Sequence, residues 1–209
     1  MARKNIVQKE CQIDMVITPR SELEERLCHI ARSSTWFMAA LKAVRDLELP
    51  SWCIGAGAVR NLVWDALHDY STPSRLPDVD VAYFDASDVG RETQAQLQRR
   101  LHDAMPEIPW EVTNQAAVHL WFEAHFGHAV EPLASLPEAV ASWPEYATAI
   151  GLWLNRDDSI EVIAPHGLDD LFNCVVRRNP ARASMETYRQ RVAQKNYALR
   201  WPRVTVVDV

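Results

Sequence analysis

The sequence predicts a single domain of the α/β or α+β class, and three observations support this prediction. Patterns typical of strands and helices alternate through the first half of the chain and mix in the second half. A length of 209 residues suits one domain with a substantial core. Hydrophobic residues make up 48% and charged residues 24% of the chain, as in ordinary globular proteins. We expect residues 19–209 to form this domain, after an N-terminal extension over residues 1–18.

The first predicted element is a helix with strong start signals. Thr18 and Pro19 provide a cap and a first-turn proline, and Ser21 and Glu24 have the spacing of a capping box. Hydrophobic periodicity and turn residues predict the other elements of the first half. The expected elements are helices over 19–32 and 34–48, a strand over 51–54, a helix over 57–68, a strand over 79–84, a helix over 88–104, a strand over 110–113 and a helical region over 114–126.

The second half of the chain is less regular. Ser135 and Pro137 begin a short helix that ends near Trp143, and Asp169 and Asp170 are expected to cap the helix that they open. The remaining expected elements are a hairpin of 147–154 and 159–163 around the turn 155–158, a helix from 167 to about 177, a helix over 183–199 and a strand over 204–207.

Composition and charge disfavour several classes of protein. The formal net charge of −6 disfavours an extended nucleic-acid footprint, which normally shows as a basic domain, but leaves a small phosphorylated ligand open. No apolar stretch is long enough for a membrane span, and the N-terminus lacks the apolar region of a signal peptide, so we expect a cytoplasmic protein. The four cysteines have no CxxC pairing and no zinc-type histidine spacing, so most are expected to be buried reduced thiols. They are Cys11, Cys28, Cys53 and Cys174.

Two carboxylates stand two residues apart in Asp78-Val79-Asp80-Val81, on a predicted strand. Because side chains alternate across a strand, Asp78 and Asp80 are expected to project from the same face. Carboxylates held so close repel each other, which lowers stability unless a cation between them offsets the repulsion. The spacing therefore suggests a Mg²⁺ site.

The turn Gly55-Ala56-Gly57 joins a predicted strand to a predicted helix. Backbone N–H groups and the positive end of the helix face outward at such a turn, which suits a phosphate. Glu111, on the next strand along the chain, is the candidate for a third carboxylate, which in two-metal phosphoryl transfer helps to activate the attacking hydroxyl. An ordinary tight turn and an ordinary surface acid are the alternatives for these two features.

Together these features resemble the signature of the DNA polymerase β-type nucleotidyltransferase superfamily. Gly57-Ala58-Val59-Arg60-Asn61 is similar to the G-x-V-R-D segment of its tRNA-nucleotidyltransferase and poly(A)-polymerase branch. Over about residues 30–205 the chain more closely resembles one small bacterial nucleotidyltransferase-like family whose substrate is unassigned. The stretches that carry this resemblance are GAGAVRNLVWD, DVDVAYFD, WEVTNQAAVH, APHGLDDLF and YRQRVAQKNYALRWP.

The resemblance implies a polymerase β-like fold with a small mixed sheet flanked by helices. It also implies a divalent metal, Mg²⁺ or Mn²⁺, at Asp78 and Asp80, and NTP phosphates near Gly55 and Gly57. Two features depart from the superfamily pattern. Position 56 is Ala where the superfamily usually has Gly or Ser, and the stretch from Gly55 to Asp78 is longer than its more usual spacing.

Three basic side chains are candidates for binding the nucleotide. Arg60, on the first turn of a predicted helix, either reaches a phosphate or pairs with Asp65 or Asp78. Arg191 and Lys195 are four residues apart and share one face of a predicted helix. That face either binds the triphosphate or is solvated.

The leading hypothesis is a metal-dependent nucleotidyltransferase that moves an NMP from an NTP to a small-molecule or protein acceptor and releases pyrophosphate. Catalysis would involve Asp78, Asp80 and Glu111. A non-catalytic nucleotide-binding or regulatory protein on the same fold is the alternative, because a fold does not guarantee chemistry. A dinucleotide-binding oxidoreductase is disfavoured, because Arg60 stands at the third glycine position of G-x-G-x-x-G.

Overall fold

The computed structural model describes residues 20–207, so Thr18, Pro19 and Cys11 lie outside the described residues. Two short 3₁₀ turns, Gln115–Ala117 and Tyr146–Thr148, accompany the helices and strands. In chain order the elements are α1 (Glu22–Ser33), α2 (Thr35–Arg45), β1 (Trp52–Gly55), α3 (Ala56–Leu67), β2 (Val79–Tyr83), α4 (Arg91–Ala104), β3 (Trp110–Asn114), α5 (His119–Phe126), α6 (Leu136–Ala141), β4 (Gly151–Leu154), β5 (Ile160–Ile163), α7 (Asp169–Phe172), β6 (Val175–Val176), α8 (Met185–Lys195), α9 (Tyr197–Arg200) and β7 (Thr205–Val206).

Five strands form one mixed sheet in the order β3–β2–β1–β4–β5. The strands β2 and β3 are parallel and are connected through α4, whereas the other neighbouring pairs are antiparallel. The strands β6 and β7 form a separate parallel pair. This architecture confirms the predicted class and the small mixed sheet flanked by helices.

The two faces of the sheet have different neighbours. On one face, residues such as Val79 and Val81 pack into the main hydrophobic core together with α1, α2 and α3. On the opposite face, Cys53 and Ala82 pack against α6 in a smaller cluster. Because side chains alternate along a strand, Asp80 shares this second face with Ala82.

Local sequence signals predicted several features correctly. In the capping box of α1, the Glu24 backbone N–H donates to Ser21 Oγ at 3.3 Å, and the Ser21 N–H donates to Glu24 Oε2 at 2.8 Å. Ser135 caps α6 in the same way by accepting from the Glu138 N–H at 3.3 Å. The described cysteines are free and buried, as expected. No helix within residues 20–207 has both the length and the apolar character that crossing a membrane requires.

Two predicted helices are wrong in their extent. The helix expected from 167 to about 177 ends at Phe172, because Cys174 has a φ of 54° and the chain then enters β6. The long helix expected over 183–199 is divided at Asn196, which has a φ of 49°. A residue in the left-handed region cannot continue a right-handed helix.

The start of α7 also differs from the prediction. Asp169 and Asp170 lie in its first turn, but the cap position is Leu168, which makes no side-chain capping bond. Asp170 instead accepts hydrogen bonds from Nε and Nη2 of Arg177, both at 3.1 Å.

The predicted hairpin is present, but its first strand is shorter than expected. The stretch Tyr146–Thr148 forms a 3₁₀ turn, and β4 begins only at Gly151. From there β4 and β5 pair antiparallel around the turn at 155–158.

Hydrogen bonds to Asp65 hold the long stretch between α3 and β2 in place. Its Oδ2 accepts from the Ser74 backbone N–H at 2.7 Å, and its Oδ1 accepts from Ser74 Oγ at 2.6 Å. Oδ1 also accepts from Trp201 Nε1 at 2.8 Å, and the Trp201 ring is fully buried beside Trp64. One carboxylate thus joins α3, the stretch after it and the C-terminal segment.

Candidate active site

A cavity of about 290 Å³ opens on the second face of the sheet. Its walls come from the N-terminal end of α3, from β2 and β3, from the loop after α6 and from α8. Gly55, which was expected in the site, does not line this cavity. The other expected site residues all line it: Ala56, Gly57, Arg60, Asp78, Asp80, Glu111, Arg191 and Lys195.

Three carboxylates lie along one wall of the cavity. The parallel register of β2 and β3 pairs Asp80 with Glu111. Asp78 lies immediately before β2 and lines the same cavity. Asp78 and Asp80 are half-buried, whereas Glu111 is exposed. The two aspartates therefore lie closer to the interior of the cavity than the glutamate.

The surroundings of Asp80 oppose its ionisation. Burial raises the pKa of this carboxyl, and the negative charges of Asp78 and Glu111 add to the effect, so that the pKa is about 7. The positive charges of Lys195 and Arg191 act in the opposite direction without cancelling the rise. An ionised Asp80 would therefore be stabilised by a cation bound beside it.

The side chains at this wall fit Mg²⁺ or Mn²⁺. Hard divalent cations prefer oxygen ligands, and Asp78 and Asp80 offer carboxylate oxygens alone. Within residues 20–207, no three His, Cys, Asp or Glu side chains already converge into a metal-binding cluster. Mg²⁺ commonly binds one or two carboxylates together with water and substrate phosphates. The aspartate pair suits this mode of binding, in which water and substrate phosphates complete the coordination of the metal.

The turn between β1 and α3 brings the backbone to the edge of the cavity. A Cβ on Gly55 would lie 2.6 Å from the Trp143 ring and 2.7 Å from the Ile150 carbonyl oxygen, so only glycine fits there. Ala56 has a φ of 50°, and its N–H donates to the Ile150 oxygen at 3.2 Å. Gly57 follows in the first turn of α3, where a backbone N–H has no partner within the helix. The N–H of Gly57 is therefore available to a phosphate.

Arg60 is buried, with 3% of its surface exposed, and its partners are neutral. Its Nη2 and Nε donate to Asn61 Oδ1 at 2.8 and 3.2 Å. The guanidinium carbon lies 5.1 Å from the ring centroid of Tyr197 and 5.6 Å from those of Trp64 and Trp201. Burial lowers the pKa of Arg60 below its usual value. Three aromatic rings, rather than a carboxylate, thus surround this cation.

The expected alternative, in which Arg60 pairs with Asp65 or Asp78, is wrong. Asp65 bonds to other groups, and no ion pair to Arg60 is present among residues 20–207. A Cβ on Gly57 would lie 3.6 Å from Arg60 Nη2 and 3.9 Å from Asp78 Oδ1, so the cation and the carboxylate both lie near this glycine without forming an ion pair. Arg60 remains a cation without a counter-charge beside the cavity.

Arg191 and Lys195 are half-buried and extend from α8 to the cavity, which is where binding of a triphosphate would require them. Glu145, which is 1% exposed, accepts from Arg191 Nε at 2.7 Å and from Nη2 at 3.1 Å. It also accepts from Thr148 Oγ1 at 3.0 Å. Burial alone would lower the pKa of Arg191, but the hydrogen bonds and charge of Glu145 raise it above its usual value. The pair fixes the guanidinium while leaving its Nη1 for a ligand.

The sequence predictions missed several residues of the cavity. Thr113 follows Glu111 by two residues on β3, so strand alternation was a sufficient signal for it. Trp143, Pro144 and Thr148 come from the segment after α6, where no periodic pattern indicates which side chains turn inward. Their contribution depends on the tertiary fold.

Comparisons with known proteins agree on one family. A family described as nucleotidyltransferase matches residues 42–206. Among solved structures, an NMR structure described as revealing a CCA-adding enzyme head domain is 32% identical, with a TM-score of 0.75, and the match covers 88% of this chain and 96% of that chain. An apo form of a tRNA-processing enzyme is 18% identical with a TM-score of 0.46, and the match covers 91% of this chain and 45% of that chain. No curated protein matches.

The matched region contains every element that lines the cavity. It includes the turn before α3, the carboxylates of β2 and β3 and the cations of α8. The similarity therefore covers the candidate site as well as the scaffold that holds it. The chain belongs to a nucleotidyltransferase family, and it is an enzyme of that class, which transfers nucleoside monophosphates.

Proposed function

We propose that this enzyme uses Mg²⁺ or Mn²⁺, held by Asp78 and Asp80, to transfer an NMP from an NTP to a small-molecule or protein acceptor. The observation that carries the proposal is that carboxylates and cations line the same cavity. Carboxylates at β2 and β3 line it together with cations of α3 and α8. A metal–triphosphate complex needs both, because carboxylates hold the metal and cations bind the phosphate oxygens.

The carboxylates have separate roles in this proposal. Asp78 and Asp80 would hold the metal through their carboxylate oxygens, and the metal would supply positive charge against the phosphates. Glu111, paired in register with Asp80 but exposed, lies where it can accept the proton of the attacking hydroxyl or add a further oxygen ligand. The bond from the α-phosphorus to the pyrophosphate oxygen breaks as the bond to the acceptor oxygen forms.

The triphosphate would bind to the start of α3 and to the cations of α3 and α8. The N–H of Gly57 and the positive end of α3 offer fixed backbone dipoles to phosphate oxygens. Arg60, which has no carboxylate partner, supplies an uncompensated positive charge there. Arg191 and Lys195 add donors from α8, with Arg191 held in place by Glu145. These groups are pre-positioned, so they stabilise developing charge on the leaving pyrophosphate without reorganising.

The acceptor is the least constrained part of the proposal. The acidic net charge favours a small-molecule or protein acceptor over a long nucleic acid. The likeness to a CCA-adding enzyme head domain makes a nucleic-acid end the second candidate.

Transfer of label from α-³²P NTPs tests both parts of the proposal. The enzyme is incubated with each NTP, Mg²⁺ or Mn²⁺ and a cell extract, and the labelled product is then treated separately with protease and with nuclease. We expect label in a product that resists nuclease, and no label with Asp80→Asn. Asp103→Asn is the matched control, because this exposed aspartate of α4 lies outside the cavity. A product destroyed by nuclease would identify a nucleic-acid acceptor.

Absence of turnover would separate the remaining alternatives. If no NTP releases pyrophosphate and Mn²⁺–NTP still binds in an Asp80-dependent manner, the protein is a nucleotide-binding protein rather than a transferase. If neither release nor binding occurs, the assignment of this cavity as the nucleotide site is wrong.

A further inference from the structure

A second cavity, of about 360 Å³, also lies along α3. Ala56, Gly57 and Arg60 face the first cavity, whereas Asn61 and Asp65 line the second. Given the period of an α-helix, these two sets lie on adjacent faces of α3. Among the residues that the structure describes, none lines both cavities.

The long stretch between α3 and β2 forms one wall of this second cavity. Its residues Ser71, Pro73 and Ser74 face the ends of α1 and α2 across the opening. The two hydrogen bonds from Ser74 to Asp65 hold the stretch in this position. This is the segment whose length exceeds the usual spacing of the superfamily, and the proposed transferase function does not explain the excess.

An unsatisfied donor lies at the base of the cavity. Asn61 is 1% exposed, and its Oδ1 is occupied by Arg60. Its Nδ2 is buried and has no hydrogen-bond partner within residues 20–207. Rotating the amide would turn Nδ2 towards the guanidinium, so the assignment of the two amide atoms is fixed. A buried donor without an acceptor costs about 1–3 kcal/mol, which a ligand acceptor would recover.

An acceptor lies one helical turn away from that donor. Asp65 is four residues after Asn61 and shares its face of α3. Its Oδ1 accepts two hydrogen bonds, but its Oδ2 accepts only the one from the Ser74 N–H, which leaves a further lone pair. The base of the cavity therefore offers a donor beside an acceptor.

The rest of the lining combines polar side chains, mostly serines, with apolar ones. Trp36, from the first turn of α2, and Leu62 and Leu76 line the space around the two polar atoms. Trp36 is half-buried, so part of its ring faces the opening. Such a pocket suits a planar heterocycle that stacks on an aromatic ring and presents an acceptor beside a donor at its edge.

We propose that this second cavity binds a nucleobase, as the free base or as part of a nucleoside, through Asn61 Nδ2 and Asp65 Oδ2. The site is separate from the triphosphate cavity and does not require a metal. The proposal does not rest on the transferase function, because it concerns other residues and a ligand without phosphate.

NMR titration of the ¹⁵N-labelled protein tests the proposal directly. The side-chain NH₂ signals of Asn61 are assigned by their loss in Asn61→Asp, and adenosine, guanosine, cytidine and uridine are then titrated in the presence of EDTA. We expect at least one nucleoside to shift these signals saturably. Because the nucleosides lack phosphate and no metal is present, the triphosphate site does not contribute.

Two variants locate the binding site. Ala66 is exposed at the mouth of the cavity, so Ala66→Trp should fill the space and abolish the shifts. Ala95→Trp places the same ring on the exposed face of α4 and should leave them unchanged. Asp80→Asn should also leave them unchanged.

Two results would overturn the inference. One is the absence of saturable shifts at Asn61 with all four nucleosides, and the other is the persistence of the shifts in Ala66→Trp. Either result leaves the transferase proposal standing, because labelling of an acceptor depends on Asp80 and on the first cavity. Conversely, if the protein shows no turnover but binds a nucleoside here, this inference stands and the transferase proposal does not.

Discussion

At the scale of single residues, Asp80 of the candidate site has surroundings that do not favour stability. Its position was predictable, since the spacing from Asp78 on a strand already pointed to a cation. Its half-buried surroundings were not predictable, because they depend on Glu111 of the next strand and on the residues of α8. The same limit applies to Arg60, whose aromatic neighbours come from distant parts of the chain.

Asp80→Asn is expected to stabilise the metal-free protein above neutral pH. The pKa of Asp80 is about 7 in the folded protein, against 3.8 for an unperturbed aspartate. The contribution of this group to stability is therefore full below pH 3.8 and is lost as the pH rises through 7. Asn does not ionise, so at pH 8 the variant should exceed the native protein in free energy of unfolding by on the order of 1–3 kcal/mol.

Thermal melts in EDTA at pH 5 and pH 8 measure this difference. The stabilisation by Asp80→Asn should be smaller at pH 5 than at pH 8. Addition of Mn²⁺ at pH 8 should raise the Tm of the native protein and not that of the variant. Equal gains at both pH values would contradict the environment assigned to Asp80.

Arg60→Met is expected to change nucleotide affinity more than stability. Methionine removes a buried charge but also leaves the buried Asn61 Oδ1 without its donor, so the two effects oppose each other and the Tm should change little. Loss of a charge-assisted contact to phosphate should weaken NTP binding by about 10- to 100-fold. Calorimetric titration with Mn²⁺–NTP and a thermal melt provide the two readings. A fall in both would indicate a purely structural arginine.

At the scale of elements, short-range signals predicted what they physically control. Ser21 with Glu24 and Ser135 mark helix starts because a cap involves residues three apart. The division of the last long helix at Asn196 could not be predicted, since the sequence on both sides is helical in character. The two-residue strands β6 and β7 are too short to show any alternation.

The turn that begins α3 should tolerate glycine at Ala56. An L-residue with a φ of 50° is destabilised by about 1–2 kcal/mol, and glycine removes that strain at an entropic cost of about 0.4–1 kcal/mol. Ala56→Gly should therefore leave the unfolding free energy unchanged or raise it slightly. Ala58→Gly, in the buried interior of the same helix, should lower it by about 1 kcal/mol or more. Urea unfolding of both variants compares them, and equal losses would contradict the strain at position 56.

The contact between α8 and the loop after α6 should depend on one ion pair. Glu145→Gln and Arg191→Met are each expected to destabilise, because each leaves a buried polar group with a poorer partner. A double-mutant cycle by urea unfolding should give a coupling energy of at least about 1 kcal/mol.

The exposed pair of Asp170 and Arg177 is the control for that cycle. Its arginine side chain is 50% exposed, so its coupling should be below about 1 kcal/mol. Equal coupling in the two pairs would show that burial of Glu145 adds nothing to the contact.

At the scale of the whole molecule, the sheet brings distant parts of the sequence to one cavity. The class was predictable from the alternation of elements and the mixed sheet from the family resemblance. The strand order was not predictable, because it depends on long-range pairing. The C-terminal segment contributes both to the hydrophobic core and to the cavity. Tyr188, Tyr197 and Trp201 are buried in the main core, and Arg191 and Lys195 reach the site from the same segment.

A chain that ends at Ala183 should therefore fail to fold cooperatively. It loses the three large aromatic side chains, and burial of each contributes about 1.5–3 kcal/mol or more. Near-UV circular dichroism and a thermal melt should show no fixed aromatic environment and no sharp transition. A cooperative transition at the native temperature would show that the segment is only an addition to a self-sufficient fold.

The three hydrogen bonds received by Asp65 have a further consequence for local unfolding. They join α3, the stretch at Ser74 and the C-terminal segment at Trp201 through one carboxylate. Opening of any one of these segments removes a partner from the same buried group, so the three should open together as a single cooperative unit. Hydrogen exchange would then show similar protection for amides that lie far apart in the sequence, and Asp65→Asn would lower that protection in all three segments at once.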